Sequence, residues 1–157
     1  MALLSDEDRI ALTERFDTTL EADVKVKLFT QSLARSILVL PGQEQPTNEY
    51  MKITQELLQE LTDISPKLSL EIYDAYGDGA DEAKRLEIQQ LPAIVIGDDD
   101  GGRVRFYGAP VGNEFPTILA GFESLSKNEP LLRDVVVEAV RERIDEQVHL
   151  RVFVTPT

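Results

Sequence analysis

Hydrophobic and polar residues alternate along this chain in two rhythms, one helical and one extended. Ser5 precedes Asp6, Glu7 and Asp8, an N-cap followed by the charges that a helix N-terminus favours. Ile10, Leu12, Phe16 and Leu20 then recur at near-helical spacing. Val24-Lys25-Val26-Lys27-Leu28 alternates apolar with charged residues and continues into Phe29, which predicts a strand. Ile37-Leu38-Val39-Leu40 ends at Pro41-Gly42 and reads either as a short strand or as part of an insertion spanning 31–47. Helical spacing returns over 48–63, where Met51, Leu57, Leu58 and Leu61 form a stripe with Lys52, Glu56 and Glu60 outside it. Leu68-Ser69-Leu70-Glu71-Ile72-Tyr73 predicts a second strand with Leu68, Leu70 and Ile72 on one face.

A short helix follows over 80–86. Leu91-Pro92-Ala93-Ile94-Val95-Ile96 predicts a buried strand beginning at a proline, where a missing N–H is tolerated. Asp98-Asp99-Asp100-Gly101-Gly102 reads as a hairpin turn into the strand Arg103-Val104-Arg105-Phe106-Tyr107. The same acidic run suggests calcium only weakly, because the spaced ligands of an EF-hand loop are missing. Phe115, Ile118, Leu119 and Phe122 mark a helix over 112–125. The order is β-α-β-α-β-β-α behind one extra helix, an α/β class with a central sheet.

The tail repeats the beginning. A helix is predicted over 131–144, then the strand Val148-His149-Leu150-Arg151-Val152-Phe153-Val154. This strand matches Val24-Lys25-Val26-Lys27-Leu28-Phe29 in character, position by position. Glu14-Arg15-Phe16-Asp17 in the first helix likewise matches Glu142-Arg143-Ile144-Asp145. A chance match of two amphipathic helix–strand pairs is the alternative, and the shared Glu-Arg-apolar-Asp ending argues against it. An internal repeat with one complete unit over 1–127 and the opening helix and strand of another over 128–157 is expected.

Composition narrows the chemistry. The 157 residues suffice for one ordinary domain with a buried core, and 42% hydrophobic with 29% charged residues is the balance of a soluble globular protein. No apolar run is long enough to span a bilayer. The start, Met1-Ala2-Leu3-Leu4-Ser5-Asp6-Glu7-Asp8, turns acidic before a signal-peptide core could form, so a cytoplasmic location without membrane association is expected. A formal charge of −13 opposes binding to nucleic acid. The chain has no cysteine, which removes disulfides, thiol nucleophiles and thiolate metal sites. Its one histidine, His149, projects from a strand as an ordinary surface or interface residue. No carboxylate pair stands at a catalytic spacing. The expectation is no catalytic residue, no metal and no cofactor in this chain.

Certain stretches resemble a known family: Val26-Lys27-Leu28-Phe29-Thr30, Leu91-Pro92-Ala93-Ile94, Arg105-Phe106-Tyr107-Gly108-Ala109-Pro110-Val111-Gly112-Asn113-Glu114-Phe115, and Val152-Phe153-Val154-Thr155-Pro156-Thr157. Through them the chain resembles the protein disulfide oxidoreductases, or glutaredoxin-like proteins, which carry two thioredoxin folds in tandem. The N-terminal tandem domain of the bacterial alkyl hydroperoxide reductase flavoprotein is a more distant likeness. The resemblance implies a thioredoxin-like fold, a central mixed sheet flanked by helices. In the family a strand ending Val-Thr-Pro-Thr runs into the active Cys-Pro-Tyr-Cys of the second unit, so the chain is expected to be a piece that stops one residue short. In the first unit the family's Cys-x-Tyr-Cys falls on Asn48-Glu49-Tyr50-Met51. Asn48 caps the helix there but neither ionises nor attacks a disulfide, and Met51 is expected to be a core residue.

Pro92, between Leu91 and Ala93, resembles the family's cis-proline. It either exposes backbone to an extended client peptide or merely shapes the fold. Gly108 and Gly112 suit the turn into the last helix of the unit. Two functions compete. One is a redox-inactive, structural or client-binding N-terminal module whose partner is a downstream thioredoxin-like domain in cis. The other is a non-redox interaction or dimerisation module whose strand 148–154 pairs between chains into a homo-oligomer.

Overall fold

A computed structural model describes residues 2–31, 46–97, 104–130, 132–146 and 148–154, with 46–48 described through their backbone alone. The run Ile37-Leu38-Val39-Leu40, the 98–102 turn and Thr155-Pro156-Thr157 lie outside them.

Helix α1 spans Asp6–Thr19. The Ser5 hydroxyl accepts from the Asp8 amide at 3.1 Å, and the Asp8 carboxylate accepts from the Ser5 amide at 3.2 Å, a reciprocal capping box. The Ser5 hydroxyl also donates to the Asp8 carboxylate at 2.6 Å, and that bond first, then the one from the Ser5 amide, holds the Asp8 carboxyl below its usual range. Leu12 and Phe16 are buried, and Leu20 just beyond the helix joins them. Ile10, expected on this stripe, faces solvent instead, because residues two apart on a helix point to opposite sides.

Strand β1 (Val24–Thr30) occupies the middle of a four-stranded sheet ordered β2-β1-β3-β4, where β2 is Leu68–Asp74, β3 Ala93–Ile96 and β4 Val104–Tyr107. It runs parallel to β2 from Val24 opposite Leu68 to Thr30 opposite Asp74. It runs antiparallel to β3, with Phe29 opposite Ala93 and Val26 opposite Ile96. Strand β4 closes the antiparallel hairpin with β3, Ala93 opposite Tyr107.

The parallel β1–β2 pair needs a crossover, supplied by α2 (Pro46–Ile64). A short helix α3 (Ala80–Arg85) joins β2 to β3. A 3-10 turn at Gly112–Glu114 leads into α4 (Phe115–Lys127), which ends on left-handed Asn128.

Both faces of β1 are covered. Val24, Val26 and Leu28 pack with Leu12 and Phe16 of α1, Leu57, Leu58 and Leu61 of α2, and Ile118, Leu119 and Phe122 of α4. Phe29 points the other way, into a smaller cluster with Ala83, Leu86, Ala93 and Val95. This second layer explains Lys27. A charge expected on a strand's polar face is only 8% exposed, its ammonium 2.8 Å from the Glu82 carboxylate of α3. On β2, Leu68 is buried and Leu70 packs against the larger cluster, whereas Ile72 on the same face is exposed near the strand's end.

Ser126 ties the end of α4 to the entry of β1. Its hydroxyl donates to the Ala22 carbonyl at 2.6 Å and accepts from the amides of Glu21 and Ala22 at 2.7 and 2.8 Å. Ser126→Ala removes the hydroxyl from the Glu21 amide and the Ala22 carbonyl and leaves the Ala22 amide only its 3.3 Å bond to the Ser126 carbonyl. Urea unfolding should show a loss of about 1–2 kcal/mol.

The tail departs from expectation in part. Helix α5 forms over Asp134–Arg143, within the predicted 131–144, but buries none of its residues. Residues 148–154, expected as a strand, pair with no strand among the described residues and are exposed throughout. Alternating sequence is not sufficient for a strand. A ladder partner is needed to take up its N–H and C=O groups, and the sheet's central place is already held by β1.

Candidate functional site

The crossover geometry decides which residues meet. Helix α2 ends at Ile64, close to the start of β1, where the Val24 amide donates to the Lys67 carbonyl at 2.7 Å. Its 19 residues run back about 28 Å, farther than the roughly 23 Å of a seven-residue strand. The start of α2 therefore reaches the end of the sheet where β1 and β2 finish and β3 begins. Antiparallel register puts Pro92 at that same end, one residue outside the Phe29–Ala93 pair.

At the start of α2 the structure corrects one expectation. The helix begins at Pro46, so Asn48 lies inside its first turn and not at the capping position before it. Glu49 is exposed and Tyr50 is 52% exposed, while Met51 is buried at 6%, as a core residue should be. One turn on, the buried Thr54 hydroxyl donates to the Tyr50 carbonyl at 2.7 Å.

The Leu91–Pro92 peptide is cis. Pro92 and Ala93 are buried, and Leu91 packs half-buried against the smaller cluster. The Pro92 carbonyl accepts from the Gly108 amide at 2.9 Å, anchoring the loop to the chain leaving β4. Gly108 (φ 102°) and Gly112 (φ 58°) take conformations that favour glycine, which supports their reading as turn residues.

Sequence reasoning passed over two further features. The chain leaving β2 folds back on itself, the Asp74 carbonyl accepting from the amides of Gly77 and Gly79 at 2.9 Å each, and this holds Tyr76 out at 60% exposure. Tyr76 thus joins Tyr50 at this end of the sheet. The second feature is the Lys27–Glu82–Arg85 cluster behind the sheet. Glu82 accepts from Arg85 Nε at 2.8 Å and Nη2 at 2.6 Å, and from Lys27 Nζ. Hydrogen bonds from Arg85 first, then Lys27, hold its carboxyl at about 2. The signal for it was a lysine between apolar neighbours in a strand that reads as central. Nearby, the Phe29 and Tyr73 rings stack with centroids 5.2 Å apart. The Tyr73 hydroxyl donates to Glu71, which pushes its pKa up.

Chemically this end of the sheet offers aromatic and backbone groups but no nucleophilic thiol, since the sequence contains no cysteine. No group of three metal-binding side chains occurs among the described residues. Among those residues, too, no helix is long and apolar enough to cross a membrane. His149 is exposed, its Nε2 3.4 Å from Arg151 Nε.

Neither a family model nor a curated protein sequence matches the chain. Solved structures do. A protein disulfide oxidoreductase from Aeropyrum pernix K1 superposes with a TM-score of 0.65 at 22% identity, over 87% of this chain and 54% of that one. The alkylhydroperoxide reductase AhpF of Enterococcus faecalis (V583) gives 0.65 at 17% identity, over 87% and 59%. A separate structure of the NTD_N/C domain of that reductase gives 0.64, again at 17% identity over 87% and 59%. At these identities the fold is what is shared: a thioredoxin-like fold, as the sequence resemblance implied. The chain spans little more than half the length of these neighbours. It is a thioredoxin-like fold without a redox cysteine.

Proposed function

We propose that this chain is a cytoplasmic, redox-inactive thioredoxin-fold module, the N-terminal part of a glutaredoxin-like disulfide oxidoreductase. In this reading residues 1–127 brace an active unit and hold client proteins, while 128–157 open that second unit. What carries the reading is the missing sulfur: the fold is thioredoxin-like and the sequence has no cysteine, and the resemblance puts the family's Cys-x-Tyr-Cys on Asn48-Glu49-Tyr50-Met51. Thiolate attack and mixed-disulfide formation then belong to a Cys-x-x-Cys beyond Thr157. Client contact falls to the sheet end that gathers Tyr50, Tyr76 and the Leu91-Pro92-Ala93 loop. It relies on backbone and aromatic groups and needs no thiol.

The natural reading frame tests this. A Cys-x-x-Cys directly after Thr157, in a protein that reduces insulin disulfides, is the expected result. A frame without that pair overturns the reading. One observation favours the second reading, a non-redox dimerisation module: Leu150, Val152 and Phe153 are all more than 80% exposed. Sedimentation of the chain decides that reading, which requires a concentration-dependent dimer.

A further inference from the structure

The likeness of the tail to α1–β1 extends to the positions of two cations. In the folded unit, Leu12 and Phe16 of α1 and Val26, Leu28 and Phe29 of β1 are buried. Their counterparts in the tail are Val140 and Ile144, then Leu150, Val152 and Phe153, and all five are exposed, the last three at 83%, 83% and 90%. Two cations of the folded unit are anchored to particular helices. Arg15, in the last turns of α1, pairs with Glu123 of α4, and Lys27 of β1 pairs with Glu82 of α3. Arg143 and Arg151 stand at the matching positions of the tail, and both are exposed.

We infer that 132–154 docks as the first helix and strand of a second thioredoxin-fold body that supplies two carboxylates. One, on the helix after that body's second strand, meets Arg151. The other, on its last helix, meets Arg143. This rests on the tandem reading proposed above and adds to it the chemistry that selects the partner. Apolar burial drives the docking, and the two cations fix its register. Docked without those carboxylates, Arg151 would be a buried, uncompensated charge, which is strongly unfavourable. A second copy of this chain fits the tail less well, because its own α1 and β1 already fill the matching slot, with β1 in mid-sheet.

The test compares the protein expressed through the residues that follow Thr157 with the 157-residue chain. Amides of 148–154 should exchange freely in the shorter chain and at least about 100-fold more slowly in the longer one. Arg151→Ala in the longer protein should lower the melting temperature of the downstream unit by about 4–8 °C or more, with Arg151→Lys keeping most of it. Arg143→Ala, nearer the surface, should cost less. If a Cys-x-x-Cys unit follows but 148–154 stays unprotected, or Arg151→Ala changes nothing, this inference fails and the tandem reading survives. If no such unit follows, both fall. Protection of 148–154 in a dimer of the shorter chain would make a second copy the occupant and also overturn the inference.

Discussion

Replacing Phe16 by alanine should cost about 3–5 kcal/mol, most of what a domain of this size has to spare. The ring is fully buried between α1 and the apolar face of the sheet, in one cluster with Val26, Leu28, Leu58, Leu61 and Phe122. Truncation removes its transfer energy and leaves a cavity that several elements would have to move together to fill. Chemical denaturation should show a large drop in midpoint at nearly unchanged m-value. Ile10→Ala, six residues earlier on the solvent side of the same helix, serves as the control. It should change stability by no more than about 0.5 kcal/mol. If the two variants were equally mild, α1 would not be part of the core.

The second large effect concerns charge. Glu82→Ala takes from the buried Lys27 ammonium the carboxylate 2.8 Å away, beneath α3. A loss of about 2–4 kcal/mol is expected. Glu82→Gln should recover part of it by keeping a hydrogen-bond acceptor in place. The same pair gives the fold an acid dependence of definite sign. Folding holds the Glu82 carboxyl at about 2 against an ordinary 4.5, so its contribution is complete above the ordinary value and drains away as the pH falls towards 2. Glu82 retains some solvent contact, which screens the effect to about 1–2 kcal/mol. Glu123 adds to the trend in the same direction, held low chiefly by the hydrogen bond from Arg15. At Glu60 burial pushes the pKa up, but the amides of Leu3 and Leu4 and the Arg9 guanidinium outweigh it and leave it lowered. Urea titrations between pH 7 and 3 should therefore show falling stability, with a shallower slope in Glu82→Ala.

Element order was legible in the sequence because each element carries its own period. Leu57, Leu58 and Leu61 betray a helix face wherever they dock, and Ile94-Val95-Ile96 betrays a strand covered on both sides. Pair-dependent features were harder to read. Whether Lys27 faces water depends on α3 lying over it, and α3 comes more than fifty residues later. Likewise 148–154 has the alternation of a strand and still makes no ladder among the described residues, because a strand is a property of two segments and its sequence describes one. At the candidate site, the resemblance supplied the Leu91-Pro92-Ala93 loop and the start of α2. It put Asn48 at the capping position before the helix, whereas α2 already includes Pro46 and Thr47. Tyr76 was invisible because only the turn after β2, closed on the Asp74 carbonyl, brings it to the sheet end that holds Tyr50.

Insulin reduction by the 157-residue chain, followed by turbidity in the presence of dithiothreitol, asks most directly whether this fold works without sulfur chemistry of its own. A time course that overlays the dithiothreitol blank is what a cysteine-free scaffold must give. Acceleration to the rate of an active thioredoxin, persisting through repurification, would contradict it.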